Sequence, residues 1–229
     1  MNSYFLVEGK TERKVYPRWI SYFIPSLTRV LTPDEVIENN YFLISGGGYP
    51  SLLDVHLPNS VADINDSGKY DYLVVVLDAD EIPVDERVQE VENKVTEKGL
   101  DLKNCALQII VQNRCIETWF LGNHIVFSRN PSTPELMECV RFYDVSVDDP
   151  ELMYKPDSFE EKCAGFHYKY LRLMLAERHI RYTKRFPRDV VETHYIEQLE
   201  RRIEHTPNHM SSLQVLFKFC AMMKQRVGT

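Results

Sequence analysis

The stretch YFLVEGKTER, residues 4 to 13, carries an apolar run into a glutamate, Glu8, with Gly9 directly after it. A second run, YLVVVLDADE at 72 to 81, ends in Asp78 and Asp80. Leaving a carboxylate unpaired at the end of a buried strand costs roughly several kcal/mol, unless a hydrogen-bond donor, a metal or a reaction uses its charge. In a parallel α/β sheet, ligands gather beyond the carboxyl ends of the strands. Glu8, Asp78 and Asp80 are therefore expected at that edge, as oxygen donors suited to Mg²⁺ or Mn²⁺.

Those acids need strands and helices to hold them. Residues 4 to 8 read as a short buried strand, and 11 to 24 as the helix after it, with Val15, Trp19, Tyr22 and Phe23 at helical spacing. Pro17 predicts a late start or a kink. NYFLISGGGY is a strand ending in three glycines at 46 to 48, and YPSLLDVHL is a short helix. The glycines lack the Lys-Ser/Thr ending of a phosphate-binding loop, so no ATP site is predicted. The continuous apolar run at 72 to 81 fits a central parallel strand covered on both faces.

Residues 84 to 99 form an amphipathic helix with Val84, Val88, Val91 and Val95 on one stripe and Gly99 as its stop. CALQIIVQN is a further strand, and CIETWFLGN turns into a helix. This alternation implies an α/β domain with a mainly parallel sheet flanked by helices, over residues 1–125. From 126 to 160, Pro131, Pro134, Pro150 and Pro156 break the pattern among acids at 148, 149, 151 and 157, which reads as an irregular linker or insertion. Residues 161–229 form a helical C-terminal extension, with helices over about 160–180, 188–206 and 210–225.

Composition narrows the class. With 229 residues and 44% hydrophobic composition the chain can bury a sizeable core. No apolar run approaches the ~18 residues of a membrane span, and no signal peptide pattern is present, so a cytoplasmic protein without membrane contact is expected. Five cysteines without a C-x-x-C pair suggest neither a disulfide framework nor a structural zinc site. The net charge of −7 is unevenly spread. Residues 1 to 160 hold 14 Lys+Arg against 27 Asp+Glu, and residues 161 to 229 hold 13 against 7. Acids can hold a metal while the basic half holds a polyanion, although a solvated surface would give the same count.

FLVEGKTER followed by VVVLDADE resembles the Toprim domain, the catalytic α/β module of topoisomerases, DnaG-type primases and OLD-family nucleases. The V-E-G-x-T-E form and the later QNRCIETWFLGN look most like the small OLD-like or RloB-like Toprim proteins of bacterial anti-phage and abortive-infection systems. The resemblance covers about residues 3 to 123, is strongest at the two acidic motifs, and is faint in the C-terminal helices. It implies a Mg²⁺-dependent nuclease acting on DNA or RNA, controlled by a separate ABC/OLD-type ATPase partner; a homodimer is left open. Glu8 would be the general acid/base or a metal ligand, and Asp78 with Asp80 would hold the ion.

Glu12, about one helical turn from Glu8, could reach the same cation. Glu117 in IETWF is a further metal candidate, while Glu81 reads as a solvent-facing residue at a helix start. Some OLD-like enzymes use a lysine against charge on the phosphate, and Lys184 in HYKYLRLMLAERHIRYTKRFPR is the candidate. Lys169, Arg181 and Arg185 share that segment with Tyr168, Tyr170 and Tyr182; basic and aromatic residues together can grip a backbone and stack on bases. A solvated basic helix with tyrosines packed inward is the plainer reading. His167 and His194 lack ligand spacing and read as structural. Two other functions stay open: a phosphatase of the haloacid dehalogenase type using the Asp78/Asp80 pair, and a non-catalytic ATPase-binding module.

Overall fold

The structure, a computed structural model, describes residues 1–128 and 130–228. It is an α/β protein built on a five-stranded parallel sheet flanked by helices. The strands are β1 (Ser3–Val7), β2 (Thr28–Arg29), β3 (Asn40–Ser45), β4 (Tyr72–Asp78) and β5 (Ala106–Gln112), in the order β2-β3-β1-β4-β5. All five residues of β1 are buried, as are the first six of β4. Their continuous apolar sequences follow from being covered on both faces. Val7 pairs with Ser45 on β3 and with Val76 on β4, so these three strands share a carboxyl edge.

Contacts cluster into two compact units, each assembled from separated stretches. The first comprises Met1–Leu77, Pro83–Val111 and Val215–Thr229; the second comprises Asp78–Ile82 and Gln112–Gln214. Among the described residues no helix is long and apolar enough to cross a membrane.

In the first unit, α1 (Glu12–Phe23) buries Val15, Tyr16, Trp19 and Ile20. The expected stripe is thus rotated, with Tyr22 and Phe23 only half-buried. Pro17 lies inside the helix, which starts at Glu12 and is not delayed by it. The predicted short helix after the glycines is longer: one π-helical turn, Leu52–His56, runs into α2 (Leu57–Ser67), which stops at Gly68 in the left-handed region. The helix α3 (Val84–Glu97) buries Arg87 and Val91, and Gly99 adopts φ +59 just beyond it.

The second unit holds α4 (Ile116–Leu121), α5 (Pro134–Phe142), α6 (Cys163–Ala176) and α7 (Thr193–His205). The 126–160 stretch, expected as an irregular linker, thus contributes a nine-residue helix. Two of its acids are buried rather than solvated. Glu151 accepts from Ser212 N at 3.0 Å, Ser212 Oγ at 2.6 Å, Ser211 Oγ at 3.2 Å and Leu213 N at 3.3 Å. Asp149 accepts from Met210 N at 3.1 Å. Together they cap the start of α8 (Ser211–Val227), where free N–H groups and the helix dipole favour negative charge.

This cap has a measurable consequence. Glu151→Gln replaces one accepting oxygen with an NH₂ group that faces donors, leaving buried N–H and O–H groups unmet. Urea unfolding is expected to show a loss of about 2 kcal/mol. An unchanged midpoint would mean that the Glu151 carboxylate does not hold α8.

Candidate active site

The first unit holds Glu8 and Glu12. Glu8 follows directly on β1 and is half-buried. Its carbonyl accepts from Gly48 N at 2.9 Å and Ser45 Oγ at 3.1 Å, and its Oε1 accepts from Tyr49 N at 3.4 Å. The three-glycine loop therefore carries the β1–β3 pairing past the strand end and fixes Glu8. Gly46 is required for close approach, since a Cβ there would come within 2.7 Å of Leu52 Cβ. Gly48 sits at φ +99, where other residues are strained.

Glu12 lies in the first turn of α1 and is only 4% exposed. A Cβ on Gly9 would meet its Oε2 at 2.7 Å, so the glycine of the E-G-x-T-E motif makes room for that carboxylate. Sequence reasoning missed a group beside Glu8. Tyr49 Oη donates to Glu90 Oε1 at 2.5 Å, Arg87 Nη1 donates to Glu90 Oε2 at 2.5 Å, and the Arg87 guanidinium lies 4.4 Å from the Tyr49 ring centroid. The bond to Glu90 raises the Tyr49 phenol above its usual pKa. Nothing in the local pattern of α3 announced this; only the three-residue spacing of Arg87 and Glu90 was visible.

The second unit holds Asp78, Asp80, Glu117 and Lys184. Asp78 is the last residue of β4 and is half-buried. The chain after it is tied down by backbone bonds: Ala79 N donates to Gln112 O at 2.9 Å, and Asp80 N to Arg114 O at 2.9 Å. Arg114 Nη1 returns a bond to Asp80 O at 3.1 Å. Asp80 and Arg114 both adopt left-handed backbone, at φ +53 and +62. Aspartate tolerates this region better than most residues, which suits the D-x-D pattern to this turn.

Glu117 lies in α4 with its side chain fully buried. Its Oε1 accepts from Tyr182 Oη at 2.8 Å, and Lys184 Nζ stands 3.5 Å from its Oε2. That second oxygen is buried and takes no hydrogen bond. Burial pushes the neighbouring Cys115 thiol well above its usual pKa, with the carboxylates of Glu117 and Asp78 acting in the same direction and Lys184 against it.

Glu81, read as solvent-facing at a helix start, is exposed but engaged. Its Oε1 accepts from Cys163 N at 2.8 Å and its Oε2 from Tyr154 Oη at 3.1 Å, so it caps α6 rather than α3. His194 is exposed. His167 is fully buried: Nδ1 shares a hydrogen with Thr118 Oγ1 at 2.7 Å, and Nε2 lies 3.4 Å from Cys163 Sγ. The pair looks like a nucleophile and base, but burial drives both toward neutrality, the thiol up to about 11 and the imidazole down to about 3. All five cysteines are free and buried.

Among the described residues, no group of three or more His, Cys, Asp or Glu side chains is arranged to hold a metal ion. Asp78 and Asp80 carry hard oxygens of the kind such an ion takes, whereas the second Glu117 oxygen faces Lys184 Nζ at 3.5 Å. No family model matches the chain, and neither a curated protein nor a solved structure shows significant similarity to it.

The buried imidazole sets a pH dependence. Its folded pKa of about 3 lies below the ordinary value near 6.5, so its contribution to stability is complete above pH 6.5 and is lost as pH falls toward 3. Between pH 7 and pH 5 the protein is expected to lose about 2 kcal/mol more than a His167→Gln variant does. Urea midpoints at the two pH values measure the difference; parallel losses would show that His167 is already protonated or solvated.

Proposed function

We propose that the protein is a divalent-cation-dependent nuclease that hydrolyses phosphodiester bonds in DNA or RNA, acting as an anti-phage effector under a partner ATPase. The observation that carries the reading is the Glu117–Lys184 ion pair, 3.5 Å apart, in the same compact unit as Asp78, the residue that ends a buried parallel strand. The defence role and the ATPase rest on the Toprim resemblance alone.

Asp78 and Asp80 would hold the cation, while Glu117, whose second oxygen faces Lys184, would position that lysine rather than bind the ion. The resemblance assigns Glu8 to this chemistry, and Glu12 is drawn in only by its spacing of one helical turn from Glu8. When bound, the cation would polarise the phosphate and acidify an attacking water. The chain's own groups supply the rest. The turn at 79–80, held by Gln112 and Arg114, fixes where the aspartates stand. Glu117 anchors Lys184, whose ammonium, with its side chain about half exposed at 54%, can meet a phosphate oxygen and neutralise charge that develops there. Tyr182 holds the other Glu117 oxygen, which keeps that carboxylate from turning away.

Cleavage of labelled single- and double-stranded oligonucleotides in Mg²⁺ or Mn²⁺, with and without EDTA, tests this. Asp78→Asn and Lys184→Ala are each expected to lower the rate by about 100-fold or more. Glu8→Gln tests the assignment that comes from the resemblance. Cleavage that survives both Asp78→Asn and EDTA would overturn the metal-dependent reading.

A further inference from the structure

On the second unit, α6 and the segment before it line an open hollow of about 430 Å³. Its walls are two aromatic rings, each accompanied by a cation. Lys169 Nζ lies 5.8 Å from the Phe159 centroid, and the Arg172 guanidinium 5.5 Å from the Tyr168 centroid. Tyr168 and Arg172 are four residues apart on α6 and so share a face. Gly165 and Glu161 also line it, and a Cβ on Gly165 would come within 2.8 Å of Glu161 Oε2. The Tyr168 ring also has Lys184 Nζ 5.9 Å from its centroid, which links the hollow to the Glu117–Lys184 pair.

We propose that this hollow receives one unpaired base of a single-stranded nucleic acid, whose phosphates run along the Arg172 and Lys184 side. The proposal rests on the reading that the protein acts on nucleic acid. Its volume lies in the range of ~300–1,000 Å³ that small ligands fill, and its rings can be stacked on only by a base whose faces are not already covered by neighbours, as they are in a duplex. Aromatic rings give an unstacked base a surface to stack on, and cations beside them hold the backbone. Glu161 decides the orientation. A carboxylate lining the hollow repels phosphate and can accept from the amino group of a base, so the base goes in and the phosphates stay at the rim.

Fluorescence anisotropy in EDTA separates binding from cleavage. A labelled mixed-sequence 20-mer, as DNA and as RNA, is compared with its duplex. The single strand is expected to bind about tenfold or more tighter than the duplex, and Tyr168→Ala to weaken single-strand binding at least about fivefold. Tyr168→Phe should stay within roughly twofold of the native protein, since the ring is kept. Arg172→Ala serves where Tyr168→Ala fails to fold, and Lys98→Ala, which removes a charge from the end of α3, should leave binding unchanged. Equal affinity for duplex, or unaltered single-strand binding by folded Tyr168→Ala and Arg172→Ala, would overturn the proposal. A protein that binds single strands through Tyr168 but never cuts would refute the nuclease reading and leave this one standing.

Discussion

A strand buried on both faces has no place for a charged side chain except at its ends. β1 and β4 are such strands, and their parallel pairing, with Val7 opposite Val76, directs both toward one edge of the sheet. Desolvating an unpaired carboxylate costs roughly several kcal/mol, so the acids appear only where each strand gives way to a loop. Glu8 directly after β1 and Asp78 as the last residue of β4 follow from that constraint. Every other feature of the candidate chemistry depends on how the chain is held once it leaves the sheet.

Holding it is a matter of backbone hydrogen bonds. In the first unit the glycine loop donates from Gly46 to Val7 and from Gly48 to Glu8, so the glutamate is fixed by its main chain and its side chain remains half-exposed. In the second unit Asp80 and Arg114 exchange bonds across two left-handed residues. Both devices position the residue that carries the carboxylate through main-chain bonds.

Elsewhere in the second unit, buried polar groups do structural work. Arg202 is 1% exposed, yet its guanidinium donates to the carbonyls of Val145 at 3.0 Å and Asp148 at 2.9 Å, pinning the loop after α5 to α7. Glu151 and Asp149 cap α8, and His167 bridges Thr118 and Cys163. Each is a charged or titratable group in an apolar interior, tolerated because its partners are supplied from distant parts of the chain. Glu117 differs from these in pairing with a cation that is itself half-exposed, Lys184.

The sequence by itself determined the alternation of strands and helices, because continuous apolar runs and helical spacing are local patterns. It also placed Glu8, Asp78 and Asp80 at strand ends, since a charge beside an apolar run marks where burial stops. It misjudged the far end of the α1 stripe: Val15 and Trp19 are buried as expected, but Tyr16 and Ile20 complete the buried face in place of Tyr22 and Phe23. The acids at 149 and 151 looked like loop surface because their partners at 210 to 213 lie some sixty residues away. Only the tertiary structure could decide that, as it decided that Glu81 caps α6, that Tyr49 engages Glu90, and that Glu117 meets Tyr182 and Lys184. The physical reason is the same in each case: a buried charge is defined by the donors that surround it, and those come from residues far apart in the chain.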